Sequence, residues 1–194
     1  QGQVFEDSYD KLMIAVGCDS VMLPIPGADL PGVFYLKSME DGLLLEKILS
    51  LPNVRSAVIV GGGYIGVEMA EALLERKLSV TLIEAADRLL TPFEPAFSEL
   101  SAQELAREGV QLRLGEKVSA IEARGNERVV HTGSAAYGAD VVIMCAGVVP
   151  ATDFLRDSGL TMARNGAIVV DRQMRTSLND VYAAGDCAVV YNRI

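Results

Sequence analysis

What this sequence lacks narrows its chemistry before any motif is read. It has one histidine, His131, with no acid or cysteine at a recognisable spacing, so no acid-base or nucleophilic constellation can be assembled around it. His131 is expected to be a surface or packing residue. Its three cysteines, Cys18, Cys145 and Cys187, form no C-x-x-C or metal-ligating pattern. That argues against a metal site, makes all three small buried apolar residues, and suits a reducing, cytoplasmic compartment. Lys and Arg number 17 against 26 Asp and Glu, a net charge of -9. Without a basic stripe to neutralise phosphates, no nucleic-acid partner is expected. No apolar run approaches the roughly 18 residues needed to cross a bilayer, so no membrane partner is expected either. No secretory or transit segment is read at Gln1-Gly2-Gln3, and internal repeats and low-complexity tracts are absent.

What is present is largely apolar. Hydrophobic residues make up 50% of the 194 positions, enough for one large domain, or one domain with pieces of another. The longest apolar run, residues 141–149, suits a buried strand.

The most informative stretch is residues 58–84. An apolar strand, Val58-Ile59-Val60, enters a G-x-G-x-x-G turn made by Gly61, Gly63 and Gly66; a helical pattern runs to about Lys77, and a second strand ends on Glu84. This strand, turn, helix, strand order fits a dinucleotide-binding βαβ unit. Gly61 permits the tight turn, Gly63 lets backbone approach a pyrophosphate, and Gly66 lets the helix pack close to the sheet. The helix N-terminus supplies free N–H groups and a positive dipole end, so no basic side chain is required. Glu84, 23 positions after Gly61, stands where a carboxylate accepts adenosine ribose hydroxyls. A carboxylate there repels a 2′-phosphate and favours NAD(H), while nearby Arg88 keeps NADP(H) open.

Around this unit the pattern predicts a strand over residues 9–16, then a Pro- and Gly-rich connector over 24–32. A helix follows over 38–49, with Ser38 as N-cap, Glu40 and Asp41 in the first turn, and Leu44, Leu45, Ile48 and Leu49 on one face. Beyond Glu84, a helix over 96–107 has Leu100, Gln103 or Glu104, and Arg107 at helical spacing. Short strands over 110–114, 117–123 and 128–132 read as a small antiparallel meander, and 140–145 as a buried parallel strand. A short helix over 153–157 and strands over 167–170 and 181–184 complete the reading.

Three segments together resemble the two-dinucleotide flavoprotein disulfide reductases. They are Tyr9-Asp10-Lys11-Leu12-Met13-Ile14-Ala15-Val16-Gly17, similar to the strand that leaves the family's FAD domain; the nucleotide motif of residues 58–84, closed by residues 140–150; and Thr176-Ser177-Leu178-Asn179-Asp180-Val181-Tyr182-Ala183-Ala184-Gly185-Asp186, similar to its second flavin motif. Within the family, the runs around Gly66-Val67-Glu68-Met69 and Leu73-Leu74-Glu75-Arg76 look most like the coenzyme A-disulfide reductases, NADH oxidases and NADH peroxidases. The chain departs from the pattern at Val16, where Thr is usual, and at Val149, where Arg is common.

The resemblance implies an α/β fold: a Rossmann-like three-layer nucleotide-binding domain with a parallel sheet and an antiparallel meander, flanked by partial FAD-domain segments. The domains it implies are residues 1–32, a partial FAD segment and linker; 33–150, the NAD(H)-binding domain; and 151–194, a second partial FAD segment. Members carry a first flavin motif and a redox cysteine ahead of this region and a dimerisation domain after it, so the chain reads as a middle portion. The implied NAD(H) site is Gly61, Gly62, Gly63, Tyr64, Ile65, Gly66, Glu68, Glu84, Ala146 and Gly147. Tyr64 resembles the aromatic that covers the nicotinamide pocket, against a bland reading as a packing residue at the helix start. Glu68 resembles the glutamate beside the nicotinamide amide and flavin, against a reading as a first-turn acid. Gly147 resembles the glycine past which the nicotinamide end runs. Gly17, Gly185 and Asp186 resemble a partial flavin site, with Asp186 on the ribitol; FAD is expected in the full-length enzyme and not in this portion alone.

The function so implied is delivery of a hydride from NADH to flavin, with no catalytic side chain in this portion, which by itself would be inactive. The remainder of the flavoenzyme is the expected partner, in a homodimer. Two alternatives stay open: a stand-alone NAD(H)-sensing module, and the NADH-binding part of a ferredoxin, rubredoxin or nitrite reductase-type flavoprotein.

Overall fold

The computed structural model describes residues 6–190. The Gln1-Gly2-Gln3 start, and the outer ends of the two implied flanking segments, lie outside the described residues. In chain order the strands are β1 Leu12–Ile14, β2 Cys18–Ser20, β3 Val33–Tyr35, β4 Ser56–Val60, β5 Ser79–Glu84, β6 Gln111–Leu114, β7 Val118–Arg124, β8 Glu127–Thr132, β9 Ala136–Ala139, β10 Val141–Met144, β11 Val148–Pro150, β12 Ile168–Val170, β13 Val181–Ala183 and β14 Ala188–Val190. The helices are α1 Met39–Leu49, α2 Tyr64–Glu75 and α3 Pro95–Arg107, with a 3-10 turn at Asp153–Leu155. The chain divides into two compact units, Ser20–Gly147 and the combination of Gln1–Asp19 with Val148–Ile194.

The Ser20–Gly147 unit is built on a parallel five-stranded sheet of order β3-β10-β4-β5-β6. Alternation along each strand sends side chains to two faces. Ala57 and Ile59 of β4, Val80 and Leu82 of β5, and Val141 and Ile143 of β10 meet Leu45 of α1, Ala70 and Leu73 of α2, and Leu105 of α3. Val58, Val60, Ile83, Val142 and Met144 meet Val118, Ile121, Val130 and Ala139 from the antiparallel β7-β8-β9 meander. The result is three layers, helices on one face and meander on the other. Strands buried on both sides read as unbroken apolar runs, which is why they were conspicuous in the sequence.

Ser38 caps α1 as expected, with a reciprocal pair: Asp41 N–H donates to Ser38 Oγ at 3.2 Å, and Ser38 N–H donates to Asp41 Oδ2 at 2.8 Å. Several expectations need correction. Leu44 is not on the packed face of α1 but 53% exposed, because one residue is a 100° step and Leu45 takes the inward position. On α3 the buried positions are Ser98 and Leu105, and Leu100 is 62% exposed. The segment near residue 112 is no part of the meander: β6 pairs in parallel with β5 and closes the sheet edge, and the third meander strand is β9, which the sequence reading passed over. The apolar run 141–149 is two strands rather than one. Its chain turns at Gly147, whose φ is +107°, and β11 follows with Val148 and Val149 both 44% exposed. The connector around Pro26 is made of turns, yet it is firmly packed. Ile121 N–H donates to Pro26 O at 2.8 Å, and Leu23, Ile25 and Leu30 pack against the meander-side core.

The other unit has strand pairs in place of a wide sheet: β1 with β13, β2 with β11, and β12 with β14. Its core is Ile14, Leu160, Ile168, Val170, Val181, Ala183 and Cys187. β1 and β13 run parallel, pairing Leu12 with Val181 and Ile14 with Ala183. Strand β1 is shorter than the 9–16 reading, and β2, β3, β11 and β14 were not anticipated. Among the described residues, no helix is long and apolar enough to cross a membrane.

Candidate functional site

The glycine turn sits at the carboxyl ends of β4, β5 and β10, where ligands bind in open parallel sheets. Gly61 leaves β4 at φ +113°, and a Cβ there would run into the Cys145 carbonyl at the end of β10. A Cβ on Gly66 would strike the Gly61 carbonyl oxygen, so the helix reaches the turn only because Gly66 lacks one. Gly63 differs. Nothing lies within 4 Å of the position a Cβ would take, which leaves open space in front of its backbone. The first helical bond of α2 runs from Val67 N–H to Gly63 O, so the preceding N–H groups have no partner within the helix. No side chain caps this end. The arrangement suits an anion: donors, the positive end of the helix dipole, and room for a pyrophosphate.

Glu84 ends β5 beside this turn. Its carboxylate accepts from Gly62 N–H at 2.5 Å and from Ala86 N–H at 2.7 Å. Each oxygen keeps further lone-pair capacity for a ribose hydroxyl. Gly62 and Ala86 together orient Glu84, while the Gly62 carbonyl accepts from Leu90 N–H at 2.8 Å and draws the loop after β5 against the turn.

These residues border a cleft of about 610 Å³, lined by Gly61, Gly63, Tyr64, Glu84, Ala146 and Gly147 among the expected positions. Tyr64, 60% exposed, stands at its edge. Gly62, Ile65, Gly66 and Glu68 do not line it. Gly62 and Gly66 are buried behind the turn, Ile65 packs on the helix-side core, and Glu68 is exposed. Glu68 is also the fifth residue of α2, beyond its first turn, so the dipole does not account for it as an end-of-helix acid.

Part of the wall was not foreseen: Leu23, Pro24 and Ile25 from the connector, Leu90 to Phe93 from the loop after β5, and Glu116 to Val118 between β6 and β7. Phe93, 51% exposed, could have been suspected as an aromatic in a proline-bearing loop shortly after the ribose-type acid. The others come from distant strands, and no local spacing marks them. Arg88, which kept NADP(H) open, spends its guanidinium on the loop: Nη1 donates to Phe93 O at 3.0 Å and Nη2 to Thr91 O at 2.9 Å.

Cys145 lines the cleft too, and burial pushes its thiol up to about 12, so it is a neutral wall and not a nucleophile. Cys187 is fully buried, with Sγ 3.2 Å from Ala184 O. Cys18 departs from the buried-apolar expectation: it is part-exposed, and Sγ donates to Asp186 Oδ2 at 3.3 Å. Antiparallel pairing brings an acid near His131 that no sequence spacing marks, with Glu122 Oε2 3.2 Å from Nε2, although that nitrogen makes no hydrogen bond among the described residues.

In the other unit the expected flavin residues follow two strands that pair although they lie far apart in sequence. Gly17 follows β1, Gly185 and Asp186 follow β13, and those two strands are paired in parallel. Ala184 N–H donates to Ile14 O at 3.0 Å, which holds the two carboxyl ends level.

Comparison with known proteins follows the same lines. The family model for pyridine nucleotide-disulphide oxidoreductases matches residues 1–194. An NADH oxidase of Enterococcus faecalis is 40% identical over 188 residues, covering 95% of this chain and 41% of that protein. A rubredoxin-NAD(+) reductase of Pseudomonas putida is 38% identical over 191 residues, covering 96% of this chain and 48% of that protein. A solved water-forming NADH oxidase from Lactobacillus brevis, bound to NADH, superposes with a TM-score of 0.86 at 36% identity, over 94% of this chain and 40% of that one. The chain therefore spans less than half the length of these relatives. With a Rossmann-type α/β fold, a glycine turn on an uncapped helix and a match along its whole length, the chain belongs to the pyridine nucleotide-disulphide oxidoreductase family.

Proposed function

We propose that the Ser20–Gly147 unit binds NAD(H) and presents its nicotinamide end to a flavin held by the full-length protein. The observation that carries this is the shared cleft in which the uncapped start of α2, with open space at Gly63, stands beside the Glu84 carboxylate. The N–H groups of Gly63, Tyr64 and Ile65 hold the pyrophosphate. Gly61 and Gly66 give the turn its shape, and Gly62 orients Glu84, which accepts the adenosine ribose hydroxyls. Tyr64, Ala146 and Gly147 flank the nicotinamide end, with Glu68 on the same helix. Leu90 to Phe93 and Glu116 to Val118 enclose the adenosine half.

NADH, when bound, supplies the hydride; the chain supplies placement and electrostatics. Cys145 stays neutral beside the cleft and adds no negative charge opposite the phosphates. NADH is preferred to NADPH, because Glu84 repels a 2′-phosphate and Arg88 is engaged by loop carbonyls. Gly17, Gly185 and Asp186 supply part of the flavin site, completed by the remainder of the enzyme. The acceptor follows from that remainder, and the likeness to a rubredoxin-NAD(+) reductase gives a redox protein equal standing with a disulfide, peroxide or oxygen.

Calorimetric titration of the full chain with NADH and NADPH tests the binding step. Saturable heat with NADH, and at least tenfold weaker NADPH binding, is the expected result. No heat at millimolar NADH, or tighter binding of NADPH, overturns the reading.

A further inference from the structure

Glu116, in the turn between β6 and β7, is fixed from two directions. Its N–H donates to Glu84 O at 3.0 Å, and the neighbouring Gly115 N–H donates to Ala86 O at 2.7 Å, so the backbone of the turn is tied to the strand end that carries the ribose-type acid. Its carboxylate accepts the Thr132 hydroxyl of β8 at 2.7 Å and the Tyr137 hydroxyl of β9 at 2.8 and 2.9 Å. The Tyr137 ring in turn lies under the Arg113 guanidinium of β6, 5.4 Å from ring centroid to charge.

The meander does not require this polar clasp for attachment. Val118, Ile121, Val130 and Ala139 are already buried against the sheet to 5% exposure or less. What the clasp adds is direction: it sets one turn, bordering the nucleotide cleft, against the main chain of Glu84. Hydrogen bonds fix orientation in a way that apolar burial does not.

We propose that Glu116 is a positioning residue for the adenosine half of the dinucleotide, holding the Glu84 strand end and the wall at Lys117 and Val118 in one register. This rests on the NAD(H) reading of the cleft. Bound ADP-ribose would meet both surfaces at once, so loosening the clasp lets them separate without disturbing the glycine turn.

The test compares the full chain with Glu116→Ala and Glu116→Gln by ADP-ribose titration and amide hydrogen exchange. Glu116→Ala is expected to weaken ADP-ribose about tenfold and to speed exchange of the Gly115 amide and that of residue 116, while Val67 to Leu73 of α2 keep wild-type protection. Glu116→Gln still offers an acceptor to the two hydroxyls and should stay within about twofold of wild type. Unchanged ADP-ribose affinity in Glu116→Ala, or exchange rising equally in α2, overturns the positioning role. If Glu116→Ala does not fold, Tyr137→Phe carries the test, with roughly threefold weaker binding and the same localised exchange expected; wild-type behaviour of that variant counts against the proposal. If the unmutated chain takes up no ADP-ribose, the nucleotide reading fails, and this role with it, before any variant is compared.

Discussion

The two units bury apolar surface by different means. The Ser20–Gly147 unit has a five-stranded parallel sheet with a core on each face, one under three helices and one under a meander. The described parts of the other unit have three pairs of three-residue strands around a single core. Wide sheets bury central strands completely, as in Ile59, Leu82 and Ile143, all fully buried. Paired strands leave edges and exposed apolar side chains, as at Leu12 and Val189. Binding geometry is preorganised where neighbours cannot yield, as at Gly61 and Gly66, where an added Cβ would meet the Cys145 and Gly61 carbonyls, while Gly63 stays open toward a ligand.

The largest expected effect comes from striking that turn. Gly66→Val places a branched side chain on the Gly61 carbonyl, and either folding of the Ser20–Gly147 unit or NADH affinity should fall at least a hundredfold, read by circular dichroism and calorimetry. A variant that folds and binds as wild type would show that the turn has slack. Next, Leu73→Ala should cost about 2–5 kcal/mol of the unit's stability by leaving a cavity between α2 and the sheet. Ile168→Ala tests the contrast, since its loss falls on the smaller core. Exchange-monitored denaturation would show each substitution acting chiefly on its own unit; equal loss of protection in both would mean that the two cores stand or fall together.

Glu84→Ala should weaken NADH about tenfold and narrow its advantage over NADPH, because the ribose acceptor and the repulsive charge disappear together. Retention of both affinity and preference would move the adenosine site elsewhere in the cleft. A smaller effect is pH-linked. Burial pushes the Asp140 carboxyl up, but donors from Arg55 N–H, Ser56 N–H and the Ser56 hydroxyl outweigh it and hold it below the ordinary carboxylate value. A lowered folded value means its stabilisation is complete above the ordinary value near 3.8 and is lost as the pH falls below that toward the folded value. Asp140→Asn should therefore cost about 1–3 kcal/mol at pH 7, and less below pH ~4, in urea titrations at several pH values. The smallest effect is on the surface of the other unit, where Arg156→Ala removes an exposed pair with Asp153 and should leave the melting midpoint unmoved.

Legibility in the sequence followed burial and local rules rather than the division into units. Strands buried on both faces, β4, β5 and β10, stood out as apolar runs, and the Ser38 cap and α2 followed from local rules. β9 reads Ala-Tyr-Gly-Ala and has no alternation strong enough to mark it, so its place in the meander was given to the segment of β6. β6 joined the parallel sheet because the crossover through α3 delivers it beside β5, a non-local outcome. Cys18 and Asp186 are 168 positions apart, and no periodicity relates them.

By itself the sequence determined the strand, turn, helix, strand unit and the types of group it offers: glycines where a Cβ cannot fit and an acid at the next strand end. Those depend on steric and hydrogen-bonding rules that act within a few residues. Only the tertiary structure decided what surrounds them. It brought Phe93, Glu116 and Leu23 to one cleft, turned Arg88 into a support for its own loop, and set Cys18 against Asp186 beyond the paired strands β1 and β13. Such meetings arise from burying both faces of a sheet at once, a condition that fixes distant segments together and leaves no mark in any one of them.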